Sequence, residues 1–232
     1  MVERDLVLIP GLLCTDALFA AQISGLADVA RVTVAEHANA DTMTGLASSI
    51  LAAAPERFSL AGLSMGGYIA FEILRLAPER VERLALLDTS ARPDTPEQSE
   101  NRKRLVFLAG AKGVSAAARE MFPALVAPSR HNDTALRQTF LVMAESIGTQ
   151  GFSNQQHAIM GRPDSRPMLK SISCPTLVLV GEEDKLTPVS MAQEMCDGIS
   201  GSALTVLPGS GHLSTLEAPD VVTRALRTWL MA

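Results

Sequence analysis

Residues 58–76 read FSLAGLSMGGYIAFEILRL, and this stretch decides the fold. An apolar run ends at Gly62. A serine stands two residues later, and Gly66 and Gly67 open a segment with apolar residues at helical spacing. A strand that enters a helix through Gly-x-Ser-x-Gly is the pattern of a nucleophile held on a sharp turn. Such a turn strains the backbone at the serine and packs its neighbours two before and two after too closely for side chains. The helix that follows aims its N-terminus at the same place, which favours developing negative charge. The plainer alternative is a glycine-rich strand-to-helix loop with an incidental serine.

Six short, nearly continuous apolar runs read as strands covered on both faces: residues 6–9, 31–35, 58–61, 84–87, 176–180 and 203–207. Helical patterns separate most of them, at about 16–26, 42–53, 65–76 and 189–199. The last helix, APDVVTRALRTWLMA, carries Val221, Val222, Ala225, Leu226, Trp229 and Leu230 on one stripe, with Trp229 as a packing anchor. Strands alternating with helices predict an α/β fold: a parallel sheet of about six strands flanked by helices, with functional loops beyond the carboxyl ends of the strands. The alternation stops between residues 91 and 170. Helices alone are expected there, at about 98–108, 114–125, 134–147 and 151–160, bracketed by the proline-bearing ARPDTPEQ and GRPDSRPM. The division that follows is a core of residues 1–90 and 171–232 with an inserted helical cap at 91–170. The cap carries 11 basic and 7 acidic residues, a surplus of four, and the remainder stands at −9.

Composition narrows the function. The chain has 232 residues, 47% of them hydrophobic, enough for a sizeable core, and a net charge of −5 that argues against a general nucleic-acid surface. No apolar run approaches the ~18 residues of a membrane span, and the start, MVERDLVLIPG, lacks the pattern of a signal peptide. Cys14, Cys174 and Cys196 show no CxxC spacing, which argues against a disulfide framework or a zinc site. A cytoplasmic protein with reduced thiols, no metal and a small-molecule partner is expected.

A serine hydroxyl needs a base. Among four histidines, His212 in LPGSGHLSTLE follows the last strand and precedes the last helix, where small neighbours let the loop turn back over the sheet. His37, after the second strand in VAEHANADT, is the runner-up. His131 and His157 lie in the cap and read as surface or packing residues. The base needs an orienting carboxylate. Asp184 in LVLVGEEDKLTP follows the fifth strand, and Asp88 in LALLDTS ends the fourth. Sheet geometry alone allows either, and the choice of Asp184 makes the order Ser64…Asp184…His212. Oxyanion donors are expected from the backbone N–H of Met65 and, in LIPGLLCTDALF, of Leu12 beside Gly11. Cys14 in the same loop reads as a buried, inert thiol.

With these residues in place the chain resembles the α/β-hydrolase superfamily over essentially its whole length. GLSMGGYIAFEILRLAPERVERLALLDT is similar to that family's nucleophile elbow, CPTLVLVGEEDKLTP to its acid loop and GSGHLSTLEAPDVV to its histidine loop. The likeness is to small serine carboxylesterases and enol-lactonases of the 3-oxoadipate enol-lactonase type. It implies a Ser64–His212–Asp184 triad, elbow glycines Gly62 and Gly66, no cofactor, and a helical cap lining an acyl pocket. Ester hydrolysis through an acyl-enzyme is the implied chemistry, with lactones, thioesters and perhydrolysis open on the same triad. An α/β-hydrolase-like ligand sensor with little turnover is the rival of another class. Three departures stand out. Pro10-Gly11 replaces the usual His-Gly, AEHANADT replaces an Arg-Gly-rich loop, and the usual N-terminal hairpin has no counterpart.

Overall fold

In a computed structural model the described residues, 4–232, form one six-stranded sheet, all of whose strands run parallel. The strands are β1 (Arg4–Ile9), β2 (Ala30–Val34), β3 (Phe58–Leu63), β4 (Val81–Leu87), β5 (Thr176–Gly181) and β6 (Ala203–Leu207), in the spatial order 2-1-3-4-5-6. Their apolar character follows from burial. Every residue of β3 and β5 is buried, whereas the edge strands β2 and β6 are largely half-buried or exposed. Leu8, Ala61, Leu63, Leu87 and Leu179 belong to one apolar cluster, and Val7, Leu60, Leu86, Val178 and Val180 to another, as a period of two requires.

Helices α2 (Met43–Ala53), α3 (Met65–Leu76) and α7 (Val189–Gly198) pack on the second cluster. On the first lie α1 (Ala20–Leu26), entered through a 3₁₀ turn at Asp16–Phe19, and α9 (Pro219–Met231). The short α8 (Ser214–Glu217) precedes α9. The stripe on α9 is narrower than its sequence pattern: Val222, Leu226, Trp229 and Leu230 are buried, but Val221 is 40% exposed. Val221 stands 100° around the helix from Val222, at the edge of the covered arc.

Residues 91–170 contain α4 (Pro96–Lys112), α5 (Val114–Leu125) and α6 (Thr134–Met160) and no strand. A capping box at Thr95 and Gln98 starts α4. The two helices read at 134–147 and 151–160 follow one another within α6 and meet at a break, where Gly148 takes the non-helical φ +71° and ψ 171°. Phe122, Phe140 and Phe152 of these helices join the same cluster as Leu8 and Leu63 of the sheet. The helical segment therefore shares its apolar interior with one face of the sheet.

In the order 2-1-3-4, β2 and β3 flank β1 on opposite sides. The side on which successive strands are added thus switches between β1 and β3, and the loops after these strands open a crevice at their carboxyl ends.

Candidate active site

Ser64 sits at this switch point, between β3 and α3, with φ 54° and ψ −113°. A serine in this left-handed region is strained, at a cost of order 1–3 kcal/mol, and persists only where its surroundings over-determine it. They do so here. The Ser64 N–H donates to the Leu87 carbonyl at 2.9 Å, and the Ser64 carbonyl accepts from the Gly67 N–H at 2.9 Å and the Thr89 hydroxyl at 2.7 Å. A Cβ on Gly62 would lie 2.3 Å from the Gly66 carbonyl, and one on Gly66 would lie 2.0 Å from the Ile9 carbonyl oxygen. Both contacts are with backbone, so no side chain fits at either position.

The loop after β6 brings His212 over the serine. His212 Nε2 lies 2.8 Å from Ser64 Oγ, and His212 Nδ1 lies 2.7 Å from Asp184 Oδ2. Burial by itself would raise the Asp184 carboxyl. The neighbouring His212 and the donors of Thr187 outweigh it and hold the group at about 2. An ionised carboxylate can only accept, so Nδ1 of His212 carries the proton and Nε2 is left to accept from Ser64. Burial alone would lower the histidine, but Asp184 outweighs that and raises it above 6.5.

Sequence reasoning missed the residues that hold these two loops. The Thr187 hydroxyl donates to Asp184 Oδ2 at 2.7 Å, and the Leu186 and Thr187 N–H groups donate to Oδ1 at 2.8 and 3.0 Å. An aspartate followed three residues later by threonine is a recognisable turn signature, so DKLT carried this signal. Glu217 accepts from the Gly211 N–H at 3.0 Å and the Ala127 N–H at 2.8 Å, joining the histidine loop to the end of α5.

The second strand-end carboxylate, Asp88, takes another place. It is fully buried at φ 43°, accepts from the Gly181 N–H at 2.8 Å and bonds the Ser214 hydroxyl. Burial, reinforced by the Asp184 charge, pushes it up to about 8, so it is chiefly protonated at neutral pH. His37, the runner-up base, lies behind the loop after β1, with Nε2 3.0 Å from the Gly11 carbonyl. Burial pushes it down to about 4, so the ring is neutral. A carbonyl cannot donate, so Nε2 holds the proton, and Gln155 Nε2 beside it turns to the His37 carbonyl at 3.4 Å. Gln155 Oε1 accepts from the Leu13 N–H at 3.1 Å, where the loop turns at φ +62°. Neither the Leu12 N–H nor the Met65 N–H has an acceptor among the described residues, and at Met65, the first residue of α3, no intrahelical one is expected. His131 and His157 do not line the cavity.

Ser64 and His212 form part of the floor of a cavity of about 320 Å³, roofed by residues of α4, α5 and α6. Leu12, Leu63, Leu105, Leu125 and Ile159 give it an apolar wall, and Arg92, Arg102, Arg104 and Arg162 add charge. Cys14 lines it too, but burial pushes its thiol up to about 12 and removes it as a nucleophile. No group of three metal-ligating side chains occurs among the described residues, and no helix there is long and apolar enough to cross a membrane.

Among solved structures, a thermophilic esterase from Thermogutta terrifontis is 33% identical, with a TM-score of 0.88 over 98% of this chain and 89% of its own. Among curated proteins, 3-oxoadipate enol-lactonase 2 of Acinetobacter baylyi is 29% identical over 71% of this chain and 60% of its own. RutD of Klebsiella pneumoniae, provisionally named a carbamate hydrolase, is 28% identical over 82% and 73%. The sequence pattern of the alpha/beta hydrolase family matches residues 6–225. With that match, and a parallel sheet that places a serine at the turn after β3, the chain belongs to the alpha/beta hydrolase family.

Proposed function

We propose that this hydrolase cleaves small carboxylic esters, including cyclic ones, through an acyl-enzyme on Ser64. The observation that carries this is the unbroken line from Ser64 Oγ to His212 Nε2 at 2.8 Å and from Nδ1 to Asp184 at 2.7 Å, open to the cavity at the serine end. His212 takes the hydroxyl proton as Ser64 attacks the ester carbonyl, and Asp184 stabilises the imidazolium that forms. The free N–H groups of Met65 and Leu12 receive the developing oxyanion, each typically worth ~3 kcal/mol. His212 then protonates the departing alcohol, and in the second half it activates a water that releases the acid. A cyclic ester opens by the same steps, its alcohol staying tethered to the acyl group.

The helices of residues 91–170 act as a cap that excludes water and shapes the acyl site. Hydrolysis of p-nitrophenyl acetate tests the proposal. The wild-type protein is expected to turn it over, and Ser64→Ala is expected to lose turnover while keeping its melting temperature within a few degrees. Turnover that survives the substitution would sink the assignment, and a wild-type protein that binds but does not hydrolyse simple esters would favour the sensor.

A further inference from the structure

The roof of the cavity holds an unpaired donor beside an excess of positive charge. Gln156 on α6 lines the cavity and is 0% exposed, yet its Nε2 has no hydrogen-bond partner. The orientation of this amide is fixed by chemistry. Arg102 Nη1 lies 2.9 Å from the other terminal atom, and a guanidinium only donates, so that atom is the oxygen. The NH2 is therefore the free end. A buried donor without a partner is costly, and a ligand acceptor removes the cost.

Charge at the same place points to an anion. Arg102 and Arg162 share one carboxylate, Asp94, each at 2.6 Å, and Asp94 is 2% exposed. Two guanidiniums against one carboxylate leave a surplus of one positive charge. The other two cavity arginines have their own partners, Arg92 with Glu194 at 2.8 Å and Arg104 with Glu120. The Arg162 guanidinium lies over the Tyr68 ring, 4.2 Å from its centre, and its Nη2 has no acceptor among the described residues. A cationic cluster next to a free amide donor suits a carboxylate, which has two acceptor oxygens and supplies the missing charge.

From this juxtaposition we infer that the roof is an acyl-tail subsite for a carboxylate. The preferred substrates are then half-esters of dicarboxylic acids, monoanions whose free carboxylate ends the acyl tail. The tail carboxylate accepts from Gln156 Nε2 and faces Arg102 and Arg162, while the ester carbonyl lies at Ser64. The inference rests on the reading of Ser64 as nucleophile, and its test is arranged so that the two fail separately.

Monomethyl glutarate and methyl pentanoate differ only in a carboxylate against a methyl group at the tail, and dimethyl glutarate offers carbonyl acceptors without charge. In the wild-type enzyme kcat/KM is expected to be about tenfold or more higher for monomethyl glutarate than for either neutral ester, the order of one charge-assisted hydrogen bond. Calorimetry with the Ser64→Ala protein, which reads binding without turnover, is expected to show the same preference. Gln156→Leu, and isosteric Gln156→Glu should the leucine variant misfold, are expected to cut the ratio about tenfold. Equal values for charged and neutral esters, or a preference that survives both Gln156 variants, would overturn the subsite. Binding with the expected preference but without wild-type turnover would instead overturn Ser64 as nucleophile and leave the subsite standing.

Discussion

At the floor of the cavity Asp184 is fully partnered: two backbone N–H groups, the Thr187 hydroxyl and the His212 ring all bond it. At the roof, the buried amide of Gln156 keeps a free donor and two arginines share one carboxylate. The same kinds of groups are thus closed in one place and left open in the other. A reacting centre gains from groups that cannot reorient, because a misplaced base or dipole must be reorganised at the barrier. A recognition surface gains from groups whose last partner is the ligand. On the proposed reading, the floor does one chemistry and the roof chooses what undergoes it.

The sharpest way to break this contrast is at Ser64. Ser64→Ala is expected to lower kcat for p-nitrophenyl acetate by about 10⁶, because triad members act as a unit. Next comes Asp184→Asn, with an expected loss of about 10⁴ in kcat from the wrong imidazole tautomer. The pH profile separates the two causes. His212 must be neutral to act, and its pKa is raised above 6.5. Wild-type kcat/KM should therefore rise with pH through a midpoint above 6.5. In the Asn variant the largest raising charge is gone while burial still lowers the group, so the midpoint of the residual activity should fall below that of the wild type.

Thr187→Val removes one of the donors to Asp184 and is expected to cost about tenfold in kcat/KM, the order of one hydrogen bond to a charged group. A change confined to KM would place Thr187 with the substrate. The smallest effect is expected at Asp88. Asp88→Asn keeps an acceptor for the Gly181 N–H and should leave kcat within about threefold, set against the loss at Asp184. Its signature is in stability. The folded carboxyl holds its proton to about 8, whereas the unfolded one loses it near 3.8. Wild-type stability falls as pH rises between these values, so the advantage of the Asn variant should grow from pH 4 to 8 and level off above, as urea denaturation at several pH values would read. An advantage that shrank with pH would show that Asp88 is ionised in the fold.

The floor was legible in the sequence because its chemistry is local. Ser64, Asp184 and His212 each stand just past an apolar run, and strand ends in a parallel sheet converge. The choice between Asp184 and Asp88 was less open than the sheet made it look, since the turn closed by Thr187 marks the loop after β5 and has no counterpart in the bonds of Asp88. The roof was not legible. Gln155 reaches the Leu13 N–H across 142 residues, and Gln156 next to it faces the cavity instead. Two adjacent glutamines with different tasks leave no periodicity to read. The surplus of four basic residues in 91–170 was visible, but only the pairing of Asp94, Glu194 and Glu120 shows where charge remains.

The central claim is that Ser64 becomes covalently acylated with His212 as its base. A fluorophosphonate reports this directly, since it reacts with an activated serine and stays attached. Incubation of the wild-type protein with the reagent is expected to add one phosphonyl group per chain, abolish turnover, and place the mass shift on the peptide that contains Ser64. His212→Ala should slow the labelling by orders of magnitude. Loss of activity with the adduct on another residue, or labelling of Ser64 at the same rate without His212, would contradict the account.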